Sequence, residues 1–246
     1  MKKGLIGYTG FVGSNCDINN YDALINSKNI KNYINHEFDL LVVAAGDARK
    51  WYANQNPKED IKHINQLFFD LKKIKAKKVI YCSTIDIYND FTNNEFDFQV
   101  KNHAYGINRY WLEQFIISHY ENVSVIRLGG LFGKNLKKNL IYDAINNRID
   151  QIEKYNLNSN FQFFDLRHLE TLFKEVIDKN ISFINAVSEP ISTKEILETV
   201  DFDFSKINFS DNIINYDIKT LHRDTGYLTS KQDVLKDLKN FSDDIK

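Results

Sequence analysis

Tyr105 and Arg109 stand four residues apart within 104–120, a stretch that reads as a strong helix, so their side chains share one face. A cation beside a phenol favours the phenolate. Tyr105 therefore reads as a group tuned to exchange a proton with a carbonyl or hydroxyl during hydride transfer, with Arg109 as its partner. Thr84 closes the apolar run 78–84 and is placed to hydrogen-bond the same oxygen. Taken alone, the pair fits better as an aromatic anchor beside a surface arginine.

A second group is Gly7-Tyr8-Thr9-Gly10-Phe11-Val12-Gly13, spaced G-x-x-G-x-x-G between an apolar strand at 4–7 and a short helix expected over 14–18. Such glycines allow a tight turn and leave room for a pyrophosphate against unpaired N–H groups and the helix dipole. Gly7, Gly10, Phe11, Val12 and Gly13 are thus candidates for dinucleotide binding, with the small residues Ala44-Ala45-Gly46 at a later strand end as further candidates. The alternative is a glycine turn that only packs a helix on a strand. The lysine of a P-loop is absent from the turn. About 20 residues beyond the first glycine, where a carboxylate would hold the ribose of NAD, the chain reads Asn26-Ser27-Lys28. Ser27 and Lys28 suit a 2′-phosphate, which favours NADP over NAD; a solvated lysine is the alternative.

These residues need a scaffold that brings strand ends together. Short apolar runs alternate with helical patterns, as in a parallel sheet covered on both faces. Strands are expected at 22–25, 39–46, 78–84, 123–128 and 181–186. Helices are expected at 58–74, 104–120, 140–149, 166–177, 193–200 and 230–241. The fold class is α/β: a Rossmann-type doubly wound parallel sheet with a small C-terminal substrate-binding lobe. Residues 1–133 form the dinucleotide-binding core, with core elements returning at about 161–187; residues 134–246 form a smaller lobe interleaved with it. The helix at 104–120 carries Ile107, Tyr110, Trp111, Phe115 and Ile116, a stripe wide enough to face both a sheet and a second copy, so a homodimer is expected.

Composition narrows the class of partner. A net charge of −1 over 246 residues gives no general attraction to nucleic acid or anionic membrane. No window approaches the roughly 20 apolar residues of a membrane span, and the first residues are too short an apolar run for a signal peptide. Cys16 and Cys82 lie in unrelated contexts and read as packed thiols of a reducing, cytoplasmic compartment. No His/Cys/Asp/Glu grouping has metal-ligand spacing, so no metal is expected. His222-Arg223-Asp224 reads as loop.

The order of the motifs resembles the extended short-chain dehydrogenase/reductase family, of the NAD-dependent epimerase/dehydratase type. The glycine turn is followed by Ala44-Ala45-Gly46, then Ser83-Thr84-Ile85-Asp86-Ile87-Tyr88, then Tyr105-Gly106-Ile107-Asn108-Arg109. Arg127-Leu128-Gly129-Gly130, Phe161-Gln162-Phe163-Phe164-Asp165-Leu166 and Asn185-Ala186-Val187-Ser188-Glu189-Pro190 continue it, and the match weakens after about residue 200. The resemblance implies Tyr105 as proton donor or acceptor, Thr84 as its hydroxyl partner, and Arg109 where the family carries a lysine that holds the nicotinamide ribose and lowers the tyrosine pKa. Arginine keeps the charge but not an ammonium's capacity to relay a proton.

Only about a dozen residues separate Lys28 from the strand at Leu40. In that economy the chain is similar to the dTDP-dehydrorhamnose reductase branch, which implies reduction of a keto group on a nucleotide-linked sugar. Asp86, Lys138 and Asn139 are candidates for substrate binding; Lys137 and Lys138 suit a diphosphate or a solvated helix start equally. Arg49, Lys50 and His103 also lie near strand ends or the Tyr105 helix. The expected function is an NAD(P)-dependent oxidoreductase or epimerase/dehydratase acting on a sugar, the expected substrates being nucleotide-linked. The alternative is a non-catalytic dinucleotide-binding sensor or scaffold of the same fold.

Overall fold

A computed structural model of the chain describes residues 1–96, 99–100 and 103–245. Its centre is β3 (Glu37–Val43), where Phe38, Leu41 and Val43 enter one apolar cluster while Leu40 and Val42 enter another. Burial on both faces explains why this run reads as continuously apolar. Around it lie β1 (Lys3–Ile6), β2 (Ala23–Ile25), β4 (Lys75–Thr84), β5 (Val123–Leu128) and β9 (Phe183–Ala186). They form a six-stranded, wholly parallel sheet in the order β2-β1-β3-β4-β5-β9. The order reverses at β1 and β3, and the crevice beyond their carboxyl ends is where such sheets bind ligands. A 3-10 turn at Ile30–Tyr33 leads directly into β3, so β2 is the sheet edge.

Helices α2 (Pro57–Leu71) and α3 (Ala104–His119) cover one face through Ile64, Leu71, Leu112 and Ile116. Helix α6 (Leu169–Asp178) covers the other with Leu169, Leu172, Phe173 and Val176. A third apolar cluster joins α4 (Leu140–Ile145), α5 (Ile149–Ile152), α7 (Thr193–Thr199) and α8 (Lys231–Ile245). Two small sheets border it: β6 (Gly130–Phe132) with β8 (Phe163–Asp165), and β7 (Asn160–Phe161) with β10 (Ile191–Ser192). A further helix, α1 (Lys50–Gln55), lies between β3 and α2 and has no counterpart among the expected elements. Among the described residues, no helix is long and apolar enough to cross a membrane.

Two expected helices are corrected. The helix over 14–18 is replaced by 3-10 turns at Gly13–Asn15 and Ile18–Asn20. Asp17 accepts the Asn19 amide at 3.1 Å, one of the side-chain bonds that favour turns over helix in Asn- and Asp-rich sequence. The short connection is instead held by its neighbours. Tyr21 Oη donates to Glu170 Oε1 at 3.0 Å, and Asn15 exchanges two 2.9 Å bonds with the backbone of Lys134. The helix over 140–149 breaks into α4 and α5 because Asn147 takes φ 53°, a left-handed conformation that asparagine tolerates.

A buried polar network fastens the carboxyl ends of β4, β5 and β9. Arg127, 1% exposed, bonds Glu113 through Nη2 at 2.5 Å and Nε at 3.2 Å, and donates from Nη1 to Tyr88 Oη at 2.8 Å. Ser83 Oγ donates to the same Glu113 carboxylate at 2.9 Å. On the outer edge of β9, Glu95 accepts the Asn185 amide at 2.9 Å and His222 Nε2 meets the Phe183 carbonyl at 2.7 Å. Removing one member of a buried ion pair strands its partner's charge. Glu113→Ala is accordingly expected to lower stability by about 3–5 kcal/mol, measured as a fall in the urea midpoint.

Candidate active site

The glycine turn is shaped by close backbone approach. Gly7 has φ +90°, and a Cβ there would lie 2.2 Å from the Ala44 carbonyl oxygen. A Cβ on Gly13 would lie 2.3 Å from the Gly7 oxygen. These two glycines are demanded by packing, so the turn does serve the structural role that was the alternative reading. Gly10 differs: it is exposed, and a Cβ there would come no nearer than 3.2 Å to the Gly7 oxygen and 3.8 Å to the Ala44 oxygen. Among the described residues, the amides of Phe11, Val12 and Gly13 have no protein acceptor. A row of unpaired donors beside an open glycine fits a phosphate. The expected contribution of a helix dipole is corrected, because a single 3-10 turn follows.

Phe11 and Val12 face a cavity of about 520 Å³ at the carboxyl ends of β1, β3 and β4, within the range of about 300–1,000 Å³ usual for small-molecule sites. Ala44, Ala45 and Gly46 line it from β3, and Thr84 and Asp86 from β4. Tyr105 and Arg109 enter from α3, and Lys138 and Asn139 from the approach to α4. Ser27 and Lys28 do not line it; both are exposed on the turn after β2, where Asn26 donates to Tyr8 Oη at 3.2 Å.

Tyr105 sits in the first turn of α3, whose start is capped by His103 Nδ1 accepting the Gly106 amide at 3.0 Å. Asn54 of α1 accepts the Tyr105 amide, also at 3.0 Å. The Arg109 guanidinium lies 4.4 Å from the Tyr105 ring centroid. It is 4% exposed and bound bidentately to Asp60 of α2, both N···O distances being 2.9 Å. Its Nη2 also donates to the Asp47 carbonyl at 2.5 Å, and Asn108 donates to Asp60 at 2.8 Å. Burial nevertheless dominates the phenol: Tyr105 is pushed up to about 12, the Arg109 charge and hydrogen bond pulling it down and the Asp86 charge pushing it up. The expected lowering by Arg109 therefore exists as a contribution, but the net direction is corrected to upward.

Thr84 Oγ1 accepts the Asp86 amide at 3.1 Å, which leaves its own proton available to an oxygen in the cavity. Lys50 Nζ holds Asp86 Oδ1 at 2.6 Å across the cavity wall. Asn139 caps α4 by accepting the Tyr142 amide at 2.9 Å, and the Lys138 ammonium lies 5.6 Å from the Trp51 ring centroid. Tyr155, Phe161 and Tyr216 add an aromatic wall.

Asp60 escaped the sequence reading although a signal was present. It lies four residues before Ile64, on the buried stripe of α2, where a lone carboxylate requires a cation. The aromatic wall carried no comparable signal, since Tyr155 and Tyr216 come from loops. Asp165, His168 and Asp237 do approach one another within 4.8 Å, a grouping not visible as spacing. Arg167 binds Asp165 at 2.6 Å and lies 3.7 Å from Asp237, so one guanidinium faces both carboxylates.

No protein-family model matches the chain, and no curated protein matches it in sequence. Its fold is found in solved structures over the full chain. A dTDP-4-dehydrorhamnose reductase from Bacillus anthracis str. Ames, in complex with NADP, has TM-score 0.73 and 16% identity, covering 100% of each chain. MoeE5, in complex with UDP-glucose and NAD, has TM-score 0.77 and 12% identity over 99% of each chain. A UDP-galactose 4-epimerase has TM-score 0.75 and 13% identity over 100% of this chain and 98% of that one. These reductases and epimerases are the group that the motif order resembles, and at such identities the likeness is one of fold.

The turn geometry separates two glycines experimentally. Gly13→Ala is expected to destabilise by about 1–3 kcal/mol through overpacking, whereas Gly10→Ala keeps the wild-type melting temperature within a few degrees. Thermal denaturation followed by circular dichroism checks the contrast.

Proposed function

We propose that the chain is an NAD(P)-dependent oxidoreductase or epimerase/dehydratase acting on a nucleotide-linked sugar, with Tyr105 as the proton donor or acceptor. The observation that carries this reading is a single cavity joining the unpaired Phe11 and Val12 amides to Thr84, Tyr105 and Arg109. The folds of an NADP-bound reductase and of a protein holding UDP-glucose and NAD support the ligand classes.

The Phe11, Val12 and Gly13 amides hold the cofactor's phosphates, and Gly10 gives them room. Ala44, Ala45 and Gly46 form the opposite flank. When bound, the nicotinamide supplies or accepts a hydride. Tyr105 gives a proton to, or takes it from, the sugar oxygen that Thr84 orients by donation. Arg109, its Nη2 hydrogens committed to Asp60 and Asp47, retains Nε–H and one Nη1 hydrogen for the phenol and ribose side. Its positive charge opposes the effect of burial on Tyr105. Asp86, Lys138 and Asn139 contact the sugar nucleotide, and the cluster around α4, α5, α7 and α8 serves as the substrate lobe. Ser27 and Lys28 bind a 2′-phosphate when NADP is the cofactor.

The non-catalytic reading draws on one specific observation, the upward displacement of Tyr105. It is separated by substitution. Tyr105→Phe is expected to lower turnover of a sugar nucleotide by about 10²-fold or more while leaving NADPH affinity unchanged, as read by fluorescence titration. Full turnover by that variant removes the mechanism. Gly10→Val is expected to abolish NADPH binding in a folded protein, and undiminished binding removes the phosphate site.

Trp111 of α3 meets Asn65 of α2 at 3.5 Å, and with the exposed Ile107 and Phe69 it forms an apolar face across both helices. A second copy pairing on this face gives the homodimer. Analytical ultracentrifugation should give twice the 28.8 kDa chain mass; Trp111→Glu should return it to monomer.

A further inference from the structure

We propose that Lys50, held by Asp86, is the group that returns a proton to Tyr105, a task that Arg109 cannot perform. The inference rests on the reading above of Tyr105 as the proton donor or acceptor. Arg109 is fixed on three sides of its environment, by both Asp60 oxygens and the Asp47 carbonyl, and a guanidinium does not give up its proton in a protein. A lysine ammonium does.

The placement of Lys50 follows from α1. Lys50 and Asn54 stand four residues apart on that helix and therefore share a face. Asn54 holds the Tyr105 amide at 3.0 Å, while Lys50 holds Asp86 at 2.6 Å. The Asp86 amide in turn bonds Thr84 Oγ1 at 3.1 Å. One face of one short helix thus touches the start of the Tyr105 helix and the turn that carries Thr84. Lys50, Asp86, Thr84 and Tyr105 all open onto the same cavity. The Asp86 charge is felt at the phenol, where it opposes the charge of Arg109; Asp60 adds to it from α2. Asp86 keeps Lys50 at the cavity wall and lets the ammonium exchange with solvent, since the Lys50 side chain is 38% exposed.

In the reducing direction, a bound reduced nicotinamide dinucleotide would supply the hydride to the sugar carbonyl carbon, and the chain's own residues handle the proton. The Tyr105 O–H bond breaks and its proton goes to the carbonyl oxygen. The phenolate then takes a proton from Lys50 Nζ through water in the cavity they share, and the neutral amine takes one from solvent. The reverse reaction runs the same transfers backward.

The test combines turnover with a direct reading of the phenol. Wild type, Lys50→Ala, Lys50→Arg, Asp86→Asn and Tyr105→Phe are assayed with NADPH or NAD against dTDP-4-dehydrorhamnose, UDP-galactose and UDP-N-acetylglucosamine. Lys50→Ala is expected to lose turnover about tenfold or more, to keep its NADPH affinity, and to recover with added ethylamine. Lys50→Arg, which keeps the charge, is expected not to recover. With 3-fluorotyrosine at position 105, ¹⁹F NMR should show the phenol titrating at higher pH in Lys50→Ala, where Asp86 has lost its counter-ion, and at lower pH in Asp86→Asn. Full turnover in Lys50→Ala, or a phenol titration that neither substitution moves, overturns the relay while Tyr105→Phe remains inactive. Turnover retained by Tyr105→Phe, or no turnover of any sugar nucleotide by wild type, overturns the functional reading and the relay with it.

Discussion

The pairing of Arg109 with Asp60 is the interaction on which the site's geometry depends. It joins α3 to α2, and through the Asp47 carbonyl it joins both to the loop leaving β3. Placing two opposite charges where they are nearly out of water costs several kcal/mol per ion before their attraction is counted. That cost is offset here by a two-pronged geometry and by Asn108 as an additional donor. The same pair fixes the plane of the guanidinium against the Tyr105 ring. A lysine could not hold this arrangement, because its single ammonium cannot bind both oxygens of Asp60 side-on and stack on a ring. Arg109 is thus accompanied by a partner whose geometry suits a guanidinium.

A second constraint is the brevity of the connection between β1 and β2. With no α-helix after the glycine turn, the face of the sheet beneath it is filled by Tyr21, Cys16 and the side chains of α6. Burial pushes the Cys16 thiol up to about 12, so it behaves as a packed apolar group. The turn is kept in shape by Gly7 against Ala44 and by Asn15 against Lys134, both tertiary contacts. Local helix formation, which normally supplies this rigidity, has been exchanged for tertiary support.

The sheet was legible in the sequence because strands buried on both faces leave largely apolar runs, as at 40–45; the run at 123–128, although it contains Ser124 and Arg127, matches β5 residue for residue. The Tyr105 helix was legible from its stripe, and its stacking with Arg109 from helical spacing. What stayed hidden depends on contacts distant in the chain. The replacement of the 14–18 helix by turns is maintained by residues 134 and 170, and the β6 to β8 and β7 to β10 pairings involve only two or three residues each. The net direction at Tyr105 was hidden for a related reason. Spacing reveals a neighbouring charge, but not the depth at which the phenol is enclosed.

The polar bonds along the outer margin of β9 have a consequence beyond holding that strand in place. A terminal strand ordinarily offers a row of vacant amides and carbonyls, a template for another chain to add to and the start of fibrillar association. Here the outward amide of Asn185 belongs to Glu95 and the outward carbonyl of Phe183 belongs to His222. At the opposite margin, β2 is only three residues long. Neither border presents an extended run to which a foreign strand could hydrogen-bond, so the sheet is protected against edge-to-edge polymerisation.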